Sequence, residues 1–299
     1  MPNKSKNILA GRAKSKAITN SLVQKLAALE SPLKKSYWNT FHCCEHLAQN
    51  GQTLTAKYCN NRWCATCNRI RTAKLIDGYN PALKKLKNKY FVTLTIPNVK
   101  ELELPGSIDL MLYNFNLIKD KLRKRGIKLI GIRKLECTYN SEKNNFHPHF
   151  HLIISGRFEA DKLLNEWLKK YPDARKIAQD IRPANEKSVK ELFKYFTKLV
   201  SKGTKGKTHI FALDIIFQSM RGRRVFQPLG IRKYVSEDIQ EIQGQLFEDL
   251  REFDSNGNKT FTVWEWHVDF YDWIDTNTGE FLTGYMPDKK TISIINGFD

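Results

Sequence analysis

Three of the seven histidines stand at alternate positions in one short stretch, Phe146-His147-Pro148-His149-Phe150-His151-Leu152-Ile153-Ile154. The apolar, β-branched run that closes the stretch predicts a strand. Alternate side chains of a strand share a face, so His147, His149 and His151 point the same way. Two imidazoles so placed can grip one metal ion, and neutral imidazole is the commonest protein ligand for one. A solvated polar face is the competing reading; the aromatic and aliphatic residues between and after the histidines count against it. Residues 128–139 predict a second strand, and Asn140-Ser141-Glu142-Lys143-Asn144-Asn145 has the composition of a turn between the two. A hairpin symmetric about that turn sets Glu136 opposite His149 on the same face. One carboxylate and two imidazoles around one point suit Mg or Mn when water and substrate complete the shell, and they also suit Zn.

The cysteines offer a second centre. Five of the six are clustered, as Cys43, Cys44, Cys59, Cys64 and Cys67, with Cys137 apart. Cys64-x-x-Cys67 is the knuckle that places two thiolates at tetrahedral geometry. Cys59 and either Cys43 or Cys44 complete four ligands, with His42 and His46 as possible substitutes. Such a site holds structural zinc. Arg62, Arg69, Arg71 and Lys74 surround the knuckle and make it a candidate DNA-contacting element.

Charge points to the same partner. Lys and Arg number 50 against 31 Asp and Glu, a formal charge of +19. An excess of that size implies a polyanion, most often nucleic acid. It is concentrated: residues 234–299 carry 14 acids and 4 bases, so the binding surface belongs to the first three quarters of the chain. Arg221, Arg223 and Arg224 form one basic segment within it. No apolar run approaches the roughly 20 residues that span a bilayer, and the N-terminus has no secretory apolar region. A cytoplasmic protein without membrane contact is expected.

The elements that must position these residues read as follows. Residues 1–14 are basic and poor in large apolar groups, which predicts a disordered arm. Residues 15–87 hold a helix, the cysteine block and a helix from Arg71 broken at Pro81. Residues 88–235 alternate strands with helices: a strand from Tyr90 to Ile96, a helix over 107–125, the histidine hairpin, a helix over 161–170 and another over 185–202. Residues 236–299 are acidic and aromatic and read as a small separate module or lid. Hairpin-paired strands with helices between them predict an α+β fold with an antiparallel sheet flanked by helices.

His149-Phe150-His151 resembles the His-hydrophobic-His motif of the HUH endonucleases. The fuller stretch over 146–154 is similar to that of rolling-circle replication initiators, the Rep proteins of small bacterial plasmids. Residues 91–98, Phe-Val-Thr-Leu-Thr-Ile-Pro-Asn, resemble the first motif of that family, residues 191–198 its nucleophile motif and residues 59–67 the preceding cysteine block. The resemblance covers roughly residues 40–235. It implies a five-stranded antiparallel sheet with the histidines on a central strand. It further implies a divalent metal on Glu136, His149 and His151, and Tyr195 as the nucleophile toward a DNA phosphodiester. The product would be a 5′-phosphotyrosine and a 3′-hydroxyl primer. Lys194 and Lys198 would add positive charge near the phenolate or the phosphate. Glu191, one turn before the tyrosine, would act late in the cycle as general base; Ser188-x-x-Glu191 also fits a capping box. Single-stranded or hairpin origin DNA, a host helicase and a polymerase are the implied partners. An HUH transposase or relaxase is the alternative within the same chemistry. A non-catalytic zinc-containing DNA-binding regulator accounts for the charge and the cysteines, but not for the histidine strand.

Overall fold

The structure is a computed structural model and describes residues 4–193, 209–231, 245–246, 250, 252 and 256–298. In chain order the elements begin with helices α1 (Lys4–Ala27) and α2 (Lys34–Phe41), strands β1 (His46–Asn50) and β2 (Thr53–Ala56), and helix α3 (Ala65–Lys85). Next come β3 (Lys89–Thr95), α4 (Leu104–Lys124), the hairpin β4 (Gly131–Asn140) and β5 (Asn145–Ser155), α5 (Arg157–Lys170), β6 (Asp180–Pro183) and α6 (Glu186–Phe193). The remainder is α7 (Ile210–Met220), β7 (Phe226–Leu229), β8 (Gln245–Leu246), β9 (Phe261–His267), β10 (Asp272–Asp275) and α8 (Lys289–Asn296). Among the described residues no helix is long and apolar enough to cross a membrane. The chain divides into two compact units, residues 1–71 with 200–211 and 237–299, and residues 72–199 with 212–236.

The first unit corrects two expectations. Residues 4–14 belong to α1 instead of a disordered arm. Leu9, Ala13 and Ala17 recur every fourth residue, and that small-residue stripe is buried among the cysteines and tryptophans of the unit. The acidic C-terminal segment is not a module of its own. β9 pairs antiparallel with β1, giving one sheet in the order β10-β9-β1-β2-β8. Trp264, Trp266 and Trp273 share a core with Leu47, Leu54, Cys43, Cys64 and Cys67. Large aromatic surfaces need burial, and the N-terminal hairpin supplies it.

Helix α3 runs through Pro81 without a break, contrary to expectation. Leu75, Tyr79 and Leu83 are buried at four-residue intervals on both sides of the proline, so packing outweighs the lost backbone hydrogen bond.

The second unit is built on an antiparallel sheet in the order β6-β3-β5-β4-β7. The histidine strand β5 is central, as expected. One face is apolar and covered by α4 and α5. Ile108, Met111, Phe115, Ile118 and Leu122 of α4 are buried, with the Phe115 ring 5.4 Å from Phe150, which in turn lies 5.6 Å from Trp167. The other face carries the histidines. There Phe193, at the end of α6, stacks on Phe226 of β7 at 5.4 Å and on Tyr79 of α3 at 6.2 Å.

Candidate metal centres

The hairpin register comes from its turn. The Asn140 side chain accepts a hydrogen bond from the Lys143 backbone N–H (3.1 Å), and Asn144 takes a left-handed conformation with φ 45°. Those choices fix the pairing, and Glu136 is the direct partner of His149. Thr93 of β3 pairs with His151, and Thr95 with His149. All of these side chains therefore share the face opposite α4 and α5.

Each imidazole is oriented from behind. His149 donates from Nδ1 to the His147 carbonyl (2.9 Å), which leaves Nε2 as an acceptor. Nδ1 of His151 lies 3.1 Å from the Thr93 hydroxyl. The two Nε2 atoms meet at 3.2 Å, and Glu136 Oε2 is 2.9 Å from that of His151 and 3.6 Å from that of His149. Burial opposes ionisation of Glu136, but hydrogen bonds to His149 and His151 and the Lys134 charge outweigh it and hold the carboxyl well below the usual range. Burial lowers the pKa of His151, favouring the neutral form that ligates metals. A carboxylate oxygen and two ring nitrogens converge here; this donor set fits a divalent cation.

His147 does not join them. Its Nδ1 donates to Asn98 Oδ1 (2.7 Å), and its ring stacks on His149. Burial, with His149 and His151 beside it, lowers its pKa to about 4.

Three supporting residues were not singled out from the sequence. Asn98 and Thr93 orient histidines. Lys134 is fully buried, with Nζ 2.8 Å from Glu136 Oε1. Extending the alternation back from Glu136 by one strand period would have found it, since Lys134 pairs with His151.

In the first unit, Cys43, Cys59, Cys64 and Cys67 bring their sulfurs within 4.8 Å of one another. Cys67 Sγ lies 3.5 Å from that of Cys43 and 3.6 Å from that of Cys59. The knuckle forms because α3 starts just after Cys64, and the Cys67 backbone N–H donates to Cys64 Sγ (3.4 Å). The Cys59 N–H likewise donates to Cys43 Sγ (3.4 Å). Cys44, in a left-handed conformation with φ 55°, is buried beside Cys43 but outside the set. His42 and His46 are exposed and also outside it; His42 instead meets Glu45 at 2.8 Å. Hydrogen bonds from the other thiols drive the Cys59 pKa down, while Cys67, on the other side of the same bonds, is driven up. Buried thiols at this spacing ionise together only around a cation, and four sulfurs are the donor set of structural zinc. Lys16, fully buried, donates to the Phe41 carbonyl (2.6 Å) over the rings of Phe41 and Trp266.

Tyr195, Lys194 and Lys198 lie outside the described residues. Glu191 is half-buried on α6. Asn185 caps that helix: its Oδ1 accepts from the Ser188 N–H (3.0 Å), so Ser188 stands inside the helix and not at its start.

The basic residues separate into two groups. Arg71 is buried and spans from Asn68 Oδ1 (2.7 Å) to both oxygens of Asn60 (2.8 Å each), bracing the cysteine loop. Arg223 is locked on Asp109 by two bonds of 2.6 Å. Both guanidinium groups thus have partners within the chain, Arg71 in a buried setting and Arg223 in an ion pair at the surface. Arg69, Arg221 and Arg224 are exposed, and Arg62 and Lys74 half-buried.

Comparison with known proteins finds relatives of this chain. A family model described as replication protein matches residues 51–272. A protein named Protein rep from Staphylococcus aureus is 34% identical over 163 residues, covering 48% of this chain and 70% of the relative. A Protein rep from Bacillus amyloliquefaciens is 25% identical over 310 residues, covering 85% of this chain and 91% of the relative. One from a Bacillus species is 26% identical over 247 residues, 75% of each chain. No solved structure matches.

Proposed function

The chain belongs to the replication-protein family, and from that premise we propose that it is a plasmid rolling-circle initiator that nicks and rejoins one DNA strand at an origin. The observation that carries the reading is the convergence of Glu136 Oε2 with Nε2 of His149 and His151 on the central strand of a five-stranded antiparallel sheet. That convergence supports reading the sheet as the catalytic sheet of an HUH nuclease. Glu136, His149 and His151 would hold Mg or Mn. When bound, such an ion draws charge from a phosphate oxygen and stabilises what develops there.

The chain's own groups do the rest. Tyr195 is the nucleophile: its oxygen forms a bond to phosphorus, and the bond from phosphorus to the 3′-oxygen breaks. The phenolic proton departs, and the leaving oxygen takes one to become a 3′-hydroxyl. A phosphodiester is exchanged for a phosphotyrosine ester, so the strand can be rejoined and the 3′-end can prime a polymerase. Phenol ionises near pH 10, so positive charge from Lys198 and Lys194 assists attack at neutral pH. Glu191 acts later, as general base for the water or hydroxyl that ends the cycle. Zinc on Cys43, Cys59, Cys64 and Cys67 is structural. Arg62, Arg69, Lys74, Arg221 and Arg224 supply phosphate contacts, and single-stranded or hairpin origin DNA is the substrate, with a host helicase and polymerase acting on the product.

The test is covalent capture. Protein incubated with single-stranded origin oligonucleotides and Mn or Mg should yield a DNA-linked peptide containing Tyr195. Tyr195→Phe should bind DNA and form no adduct. An adduct that persists in this variant, or cleavage by the wild type in EDTA, defeats the assignment.

A further inference from the structure

Lys134 takes no part in the chemistry proposed above. Its ammonium sits on the metal-bearing face of β4, two residues from Glu136, and is wholly removed from solvent. It divides the Glu136 carboxylate. Oε1 lies 2.8 Å from Nζ, while Oε2 faces the two imidazoles, 2.9 Å from Nε2 of His151. Behind the ammonium stands an aromatic wall. The Phe226 ring centre is 5.9 Å from Nζ, and Phe193 stacks on Phe226. Lys134 is directly paired with His151 on one side and with Phe226 on the other, so neither neighbouring strand lets it swing away.

A buried ammonium is expensive to desolvate and weak evidence for stability. Its placement on one oxygen of a metal ligand suggests another use. We infer that Lys134 is a positioning residue that reserves Glu136 Oε1, leaving a single oxygen for the metal and so favouring compact six-coordinate ions over calcium. Calcium takes six to eight oxygens and accepts carboxylates through both; magnesium-like ions demand near-octahedral geometry and bind one. An outer partner that fixes the orientation of a ligand tunes the metal in this way. Lys134 also balances the Glu136 charge.

This inference rests on the metal centre proposed above, and the experiment separates the two. Mn and Ca are titrated separately into full-length, zinc-loaded protein without DNA, with Mn followed by the resonance of the free ion and Ca by calorimetry. Wild type should bind one Mn that Glu136→Ala does not. If the two proteins bind Mn alike, the centre itself is wrong and the inference falls with it. If the centre stands, Lys134→Met should raise the ratio of Ca to Mn affinity on the order of tenfold, the scale on which such outer partners act. Equal changes for both ions would report only a lost positive charge and would overturn the positioning role. Should Lys134→Met lack a cooperative melt, Lys134→Leu serves, which likewise has no donor for Oε1. It must shift the ratio in the same direction, and an unchanged ratio overturns the inference.

Discussion

Removing zinc from the cysteine cluster should unfold the C-terminal strands, although they lie some two hundred residues away in sequence. Cys43, Cys64 and Cys67 are each at most 2% exposed, and they share a core with Trp264, Trp266 and Trp273. Trp273 Nε1 donates to the Cys44 carbonyl at 2.8 Å, one residue from a proposed ligand. β9 has β1 as its inner partner, and β1 follows directly on the Cys43 turn. Structural zinc contributes about 10–16 kcal/mol of apparent free energy at neutral pH. Whole domains are stable by about 5–15 kcal/mol. By those magnitudes the proposed ion would supply the whole margin of the first unit. The assay is chelation under reducing conditions, with zinc release, tryptophan emission and limited proteolysis followed together. Emission should move to the red, and cleavage within residues 256–298 should appear as zinc leaves. Cys64→Ser should do the same without chelator. The sheet of the second unit contains none of these thiols, so its melting transition should survive. Full protection of residues 256–298 after stoichiometric zinc loss would refute the coupling.

Other consequences follow from single contacts. In EDTA, Glu136→Ala should lose about 3–5 kcal/mol, because the Lys134 ammonium is left buried without its carboxylate; Glu136→Gln keeps an oxygen toward Lys134 and should melt higher, and identical melting of the two variants would refute the pairing. Glu191→Ala should still nick but fail to terminate, giving multimeric displaced strands, with little change in melting temperature because Asn185 holds the cap. Equal loss of nicking and termination with a lowered melting temperature would make Glu191 structural. Asp288 caps α8: hydrogen bonds from the Thr291 side chain and backbone, together with Lys14, pull its pKa down to about 2. A depressed folded value means its stabilisation is present above the unfolded value of about 3.9 and lost as pH falls through about 2. Asp288→Ala should flatten that part of the acid stability profile, and an unaltered profile would exclude the cap as its source.

The sequence by itself determined the hairpin, its register and the residues that meet on it. The signals there are local: a period of two, a turn of asparagines, and a carboxylate the right number of residues before a histidine. Cys64-x-x-Cys67 was equally legible, because a knuckle at a helix start needs only neighbours. Tertiary structure decided the rest. Cys43 over Cys44 depended on which of two adjacent, equally buried side chains a turn aimed at the other three thiols. That Arg223 meets Asp109 of α4 was equally beyond any local pattern. The basic N-terminal run became helix because the cysteine and tryptophan core offered Leu9 and Ala13 a place to be buried. The acidic C-terminal segment became part of the N-terminal unit because β1 had an edge to pair. Local pattern fixes which face a side chain takes; the partner on that face comes from wherever long-range packing brings another strand or helix, and no period in the sequence encodes it.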